Sequence, residues 1–309
     1  MKSTYSSFNR RALAITSPAG AMLVVFTCLG LFFGCVKAKN SKSASKTTEK
    51  KFEDFPDAFD RSIPIDNQWM PLQPGTRFVY EGTTIEDDGT AVPHRVEINV
   101  TDLTKVIAGI RSVVTWDLDY SDDELVEAEL AFFAQDNDGN IWRMGEYPEE
   151  YDEGEMVDNP AWIHGLEDAR AGIMMKATPQ PGTPSYSQGW GPAVDWTDRG
   201  KVDQMGQKTS VPTGSYENVL VIAETSQSEP DAEQLKYYAP SVGNVRVGWR
   251  GAGEKTKETL ELVRIEKLDA KALEQARAEA MKLEKSAYKN SKVYAQTQPL
   301  ERSQFAEGQ

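Results

Sequence analysis

The 309-residue chain has two cysteines, Cys28 and Cys35, and two histidines, His94 and His164. Everything after residue 35 lacks a thiol, which excludes disulfides, thiolate metal sites and cysteine nucleophiles from the body of the protein. The histidines stand apart in sequence, His94 after Pro93 on a strand and His164 before Gly165 in an irregular stretch. Each reads as a surface or capping residue rather than a base. The chain contains no G-x-S-x-G, no H-E-x-x-H and no Walker or G-x-G-x-x-G loop, so the common signatures of catalysis are missing. Residues 53–268 hold 18 Lys and Arg against 41 Asp and Glu, a net of −23. Such a surface repels phosphates, and no basic stripe offsets it, so a nucleic-acid partner is excluded. With 41 acids, some pair for glycoside hydrolysis can always be found, so the carboxylates alone decide nothing.

The N-terminus has one long uncharged run. Lys2, Arg10 and Arg11 are followed by no charge from Ala12 to Val36, and the apolar segment AGAMLVVFTCLGLFFG (residues 19–34) ends in Gly34-Cys35. A basic start, an apolar middle and a small residue before the cut describe a secretory signal. A Cys directly after that small residue is the mark of a bacterial lipoprotein, whose thiol is alkylated by lipid before cleavage. Phe32 stands where that pattern usually has Leu. The competing readings are an uncleaved membrane helix, which needs ~20 apolar residues, and a plain signal. FNRRALA lacks most of a twin-arginine pattern. The reading adopted is residues 1–34 as a signal peptide and Cys35 as the lipidated first residue. Val36, rather than Asp, follows Cys35, which in enteric-type diderm bacteria implies the outer membrane.

Residues 36–52 carry six Lys and one Glu among Ser and Thr. A disordered cationic tether is expected over residues 35–60, lying close to an anionic lipid surface. Residues 61–268 are patterned as an acidic β domain. Val96, Ile98 and Val100, then Val114, Trp116, Leu118 and Tyr120, then Ala128, Leu130, Phe132 and Ala134, then Val245, Val247 and Trp249, each alternate with polar residues. Period-two patterning puts one face in a core and the polar residues, among them Asp117, Asp119 and Glu129, in water. Asp88-Gly89, Asp122-Asp123 and Asp138-Gly139 between such runs are hairpin turns. The expected fold is mainly β: a single antiparallel meander forming a strongly curved sheet or half-open barrel. The stretch from Gly154 to Gly206 reads as a long excursion with one or two short helices over an open end. Over residues 269–309 the period changes: Leu273, Ala276, Ala280, Leu283 and Ala287 mark a C-terminal α-helix of about twenty residues. Its Ala-rich stripe predicts a mostly solvated helix, followed by a disordered tail from Asn290 to Gln309.

Four segments carry a likeness. NQWMPLQPGTRFVYEG (67–82), FFAQDNDGNIWRMGE (132–146), VPTGSYENVLVI (211–222) and LKYYAPSVGNVRV (235–247) together resemble an uncharacterised group of secreted or lipid-anchored bacterial β-domain proteins. Their signature runs V-P-x-G-x-[FY] and then Y-Y-A-P-G-V-G. The resemblance covers Asn67 to about Ile265 in pieces and implies a secreted β domain with no assigned activity. Ser241 replaces the usual Gly, which implies a turn that needs no positive φ. The layout is also similar to half-open barrels that hold lipids.

Two candidate sites remain. Asp136, Asp138 and Asn140 place three oxygen ligands at alternate positions, as calcium prefers, although the EF-hand spacing fails; a bare Asp-Gly turn explains the same residues. Trp142, Trp190, Trp196 and Trp249 are the candidates for lining a groove that takes a ligand, with most Trp expected in the core. The sequence thus predicts a non-enzymatic envelope lipoprotein whose β domain binds a hydrophobic small molecule or an envelope protein. The alternatives are a carboxylate-dependent enzyme or binding module on envelope polysaccharide, and a calcium-stiffened surface spacer.

Overall fold

The computed structural model describes residues 49–86 and 88–303. The signal, Cys28, Cys35 and most of the Lys-rich tether lie outside the described residues. Five strands open the chain: Thr76–Ile85 (β1), Ala91–Ile107 (β2), Ile110–Ser121 (β3), Glu124–Gln135 (β4) and Ile141–Asp152 (β5). Five short ones follow: Glu155–Asp158 (β6), Trp162–Ile163 (β7), Arg170–Met175 (β8), Tyr186–Ser187 (β9) and Gly189–Trp190 (β10). Then come Arg199–Val211 (β11), Gly214–Thr225 (β12), Glu233–Ala239 (β13), Gly243–Arg250 (β14) and Thr259–Lys267 (β15), a helix Ala270–Asn290 (α1) and a last short strand, Glu301–Arg302 (β16).

All pairings are antiparallel. The meander β1 to β5 and the meander β11 to β15 join through β1 and β15, where Thr76 faces Lys267, giving one sheet in the order β10-β8-β5-β4-β3-β2-β1-β15-β14-β13-β12-β11-β9. Its two ends are neighbours in sequence. Tyr186 and Ser187 pair with β11, while Gly189 and Trp190 pair with β8. One short segment therefore bridges the two edges of an otherwise open barrel. The expected excursion over residues 154–206 contributes short strands and a single 3-10 turn, Pro192–Val194.

The three predicted turns form as read. Asp122 and Asp123 both take positive φ, 49° and 65°, and Gly89 and Gly139 lie at 87°, the left-handed geometry that tight hairpins demand. Ser241 departs from expectation: it sits at φ 63° despite its side chain, and its N–H donates to Gln68 O at 2.7 Å. The turn needs positive φ after all.

The sheet buries both faces, and its two apolar clusters lie on opposite sides. In the second meander and β1, the inward face is apolar: Phe78, Tyr80, Leu220, Ile222, Tyr238, Val245, Val247, Leu260 and Leu262 fill one part of the lumen. In β3 to β5 a second apolar face turns outward, while Val113, Ala131, Phe133 and Ile141 join the lumen cluster. Leu118, Leu130, Phe132, Trp142 and Tyr147 pack with Ala280, Leu283, Ala287 and Tyr294 of the C-terminal segment. Asp117, Asp119, Glu127 and Glu129, expected in water, are buried instead.

The helix is accordingly not solvated on its Ala stripe. Asp269 caps it, its carboxylate accepting from Ala272 N at 2.7 Å. Ala276, Ala280 and Ala287 let the helix backbone approach the sheet, and all three are buried. The segment after Asn290, expected to be unstructured, packs as far as residue 302: Tyr294 is fully buried, and Glu301 and Arg302 pair with β2. Lys105 ties both pieces down through Glu284 (3.0 Å) and Gln298 O (2.6 Å). The chain also packs before residue 60, the limit given to the tether. Phe55 meets Trp142 edge-on at 5.1 Å, and Phe52 meets Trp190 at 5.4 Å.

Candidate functional site

Two concavities stand out among the described residues, one inside the barrel and one outside. The inner one is a cavity of about 50 Å³ at the boundary of the apolar and charged parts of the lumen. Phe78, Tyr80, Ile98, Phe133, Met174 and Tyr238 supply its apolar wall, and Thr115, Asp117, Lys236 and Asn244 its polar one. Three buried ion-pair systems occupy the interior, and the Lys236 of one of them lines the cavity. Arg143 reaches Glu129 and Glu146 with one nitrogen. Lys236 meets Glu224 at 2.7 Å, and Gln188 donates to the same carboxylate at 2.7 Å. His94 lies between Asp119, 2.6 Å from Nε2, and Glu258, 3.2 Å from Nδ1.

The electrostatics follow from this crowding. Burial would lower the His94 pKa, but the charge and hydrogen bond of Asp119, with Glu258 beyond, lift it to about 9. Burial raises Glu258 to about 7, against the pull of the His94 charge. Burial, with the Glu129 carboxylate next, pushes Asp117 well above the usual carboxylate range, and Arg143 and the Thr115 hydroxyl offset only part of it. His94 is thus a clamped interior residue rather than a surface one. His164 is half-buried against Phe55, and its Nδ1 accepts from Ala171 N at 3.0 Å.

The outer concavity is a groove of about 550 Å³ formed by β1, β13, β14 and β15. Only Arg246–Glu261 and Val247–Leu260 pair between β14 and β15, so the last residues of β14 are free of β15. Gly82 allows the close approach on the other side, since a Cβ there would lie 1.8 Å from Thr259 O. Leu235, Tyr237 and Trp249 give the groove its apolar surface, while Glu81, Thr83, Thr259, Glu261 and Arg246 give hydrogen-bonding groups. Arg246 donates to Glu261 at 2.6 Å and to Thr209 of β11 at 3.3 Å.

The residues predicted from the sequence do not assemble into one site. Trp142 is buried and donates to Asp136 at 2.7 Å. Trp196 is buried beside Trp162, with Arg143 over its ring at 5.0 Å. Trp190 is covered by Phe52 and by Lys51, 4.7 Å from its ring. Trp249 alone among the four is open, at 39% exposure. Asp136, Asp138 and Asn140, the candidate calcium ligands, do not converge on one point. Asp136 accepts from Asn140 N (2.8 Å), Asn140 Nδ2 (2.9 Å) and Trp142 Nε1, Asn140 Oδ1 accepts from Ala177 N, and Asp138 is exposed on the turn. Among the described residues no group of three or more His, Cys, Asp or Glu is placed to hold a metal. Tyr237, Arg246, Glu81 and Glu261 were not singled out by sequence. Their only signal was strand parity, which places them on one face.

No family model and no curated protein matches the chain, so the resemblance to secreted β-domain proteins rests on its motifs. Among solved structures, a Bacteroides fragilis protein described as exported and of YmcC-like fold is 14% identical, covering 65% of this chain and 100% of its own, with a TM-score of 0.40. A Parabacteroides distasonis protein described as a lipoprotein is 13% identical over 65% of this chain and 100% of its own, TM-score 0.31. A β-barrel-like protein from Brucella abortus, belonging to a domain of unknown function, is 13% identical over 63% of this chain and 98% of its own, TM-score 0.35. Similarity this distant says nothing of what the chain binds.

Proposed function

We propose that this chain is a non-enzymatic, envelope-anchored binding module that holds a sugar chain against Trp249 in the groove between β13–β14 and β15–β1. The observation that carries the reading is the groove itself. It is the larger concavity, about 550 Å³, and Trp249 is the one aromatic among the exposed large hydrophobic side chains of the described residues. A groove lined by a partly exposed tryptophan together with carboxylates, threonine hydroxyls and a guanidinium suits a ring with an apolar face and a hydroxyl rim. The lumen suits a lipid poorly, because about 50 Å³ accommodates a few heavy atoms rather than an acyl chain. Placement in the envelope rests on the uncharged run ending at Cys35, with lipid as the membrane contact.

The test is a glycan array probed with full-length protein, followed by fluorescence titration of each binder. Trp249→Ala is expected to weaken binding by about ten-fold or more, the scale of one lost stacking anchor, with an unchanged melting temperature. An array with no binder, or a Trp249→Ala variant that binds like wild type, rejects the proposal. One observation favours a second reading. Glu81 and Glu261 oppose each other across β1 and β15, so the groove contains a cross-strand pair of carboxylates. Turnover of a bound glycan that is lost in Glu81→Gln or Glu261→Gln would replace binding with hydrolysis.

A further inference from the structure

Two residues that line the lumen cavity each have one buried polar atom without a partner. Asp117 and Asn244 are both only 8% exposed, and both line the cavity. Asp117 Oδ2 accepts from the Thr115 hydroxyl at 3.2 Å, while Oδ1 has no partner. Asn244 Oδ1 accepts from Arg246 N at 3.3 Å, while Nδ2 has no partner. A buried polar atom left unpaired costs about 1–3 kcal/mol, so two on residues lining one cavity mark a place where a small shift of either side chain lets something else complete the bonding. The neighbouring polar groups are already engaged. Tyr80 donates to Asn244 O at 2.9 Å, and Lys236 is held by Glu224, so neither turns to fill the gap.

We infer that this cavity is a binding site for a small neutral guest carrying a carboxamide or hydroxyl, which donates to Asp117 and accepts from Asn244. Charge decides the class. An anion meets the Asp117 carboxyl and the carboxylate of Glu129, its neighbour across β3 and β4. A cation offers nothing to the Asn244 N–H, and Arg143 already supplies positive charge beside Asp117. A molecule with a donor and an acceptor on one end and carbon on the other satisfies both atoms and sets its apolar part against Phe78, Phe133 and Met174. A volume of about 50 Å³ gives room for about three waters or for a guest of a few heavy atoms, at roughly 15 Å³ of probe space per water. Half-buried Met70, Pro71 and Val242 belong to the less buried part of the lining, the side from which a guest would enter. This site is separate from the Trp249 groove and does not depend on it.

Three probes of nearly one shape distinguish the possibilities: propanamide, propanoate and propanamidinium, neutral, negative and positive. Saturation-transfer NMR on the full-length protein is expected to show transfer to propanamide, with affinity about ten-fold or more above both charged analogues, because each of those leaves a buried group unpaired. Asn244→Leu should lower propanamide affinity about ten-fold, and Trp249→Ala should leave it unchanged. Absence of transfer to propanamide would mean that water alone occupies the cavity, and the inference falls. Equal affinity for all three probes, or undiminished binding by a folded Asn244→Leu protein, overturns it as well. Loss of binding in Trp249→Ala would assign the signal to the groove and likewise overturn it. Should Asn244→Leu fail to fold, the order of the three probes on the wild-type protein decides.

Discussion

The two meanders of this sheet solve the same problem with opposite faces. In β11 to β15 the apolar face turns inward, and the barrel has an oily lumen at that side. In β3 to β5 the apolar face turns outward, where the C-terminal helix and tail cover it, and the inward face carries Asp117, Asp119, Glu129, Arg143 and Glu146. The first meander therefore needs two covers rather than one: a helix outside and ion pairs inside. A strand alternating in polarity shows that its faces differ, but not which one points into the barrel. Only the presence of a cover decides, and the cover here comes from residues 270–302.

The contrast is sharpest where one charge is removed. Arg143→Ala leaves Glu129 and Glu146 buried against no cation and is expected to destabilise the protein by about 3–5 kcal/mol. Leu262→Ala, in the apolar lumen, should cost about 2–5 kcal/mol by cavity formation. What separates the halves is the response to replacing the whole group. Arg143→Met with Glu129→Leu and Glu146→Leu is expected to cost less than Arg143→Ala alone, since neither glutamate is then buried without a cation. Urea titration followed by tryptophan fluorescence reads all three, and a triple variant weaker than the single one would show that the ion pairs are net stabilising.

A smaller effect comes from the clamp on His94. Its folded pKa, about 9, lies above the ordinary imidazole value, so its contribution is full below about pH 6.5 and is lost as pH rises towards 9. Glu258, raised to about 7, acts in the same direction at lower pH: its contribution falls between the ordinary carboxylate range and 7. Stability should thus decline from pH 6.5 to 9 by about 2 kcal/mol on account of His94, and His94→Gln should flatten that decline. A slope as steep in the variant as in the wild type would show that other groups titrate there. The smallest effect is expected at the Asp138-Gly139 turn. Asp138→Ala should change stability by less than about 0.5 kcal/mol, and neither calcium nor EDTA should move the melting temperature of either protein.

Much of this was legible in the sequence. The alternating runs, the three tight turns and the helix are local signals, and local signals were enough to name the elements and the half-open barrel. What escaped was everything decided between distant segments. His94 looks isolated because its partners stand 25 and 164 positions away. Ala276, Ala280 and Ala287 look too small to hold a helix, yet small size is what lets the backbone settle on the sheet. Trp142 and Trp196 look like binding residues until Phe55, Asp136 and Arg143 are seen around them. Trp249 stays exposed because β14 runs past Val247, its last residue paired with β15. That early end of the pairing is not written in composition or period.

The pairing of β1 with β15 also sets a clock. Thr76 and Lys267 are neighbours in the sheet and 191 positions apart in the chain, and the loop between them must be drawn in before their contacts return anything. A chain whose keystone pairing is this remote has high contact order and folds slowly, on the millisecond-to-second side of the known range. Each meander can form hairpins early, but the ring waits for the last strand and for the helix that follows it. Until then the polypeptide stays open, with its two halves unlinked.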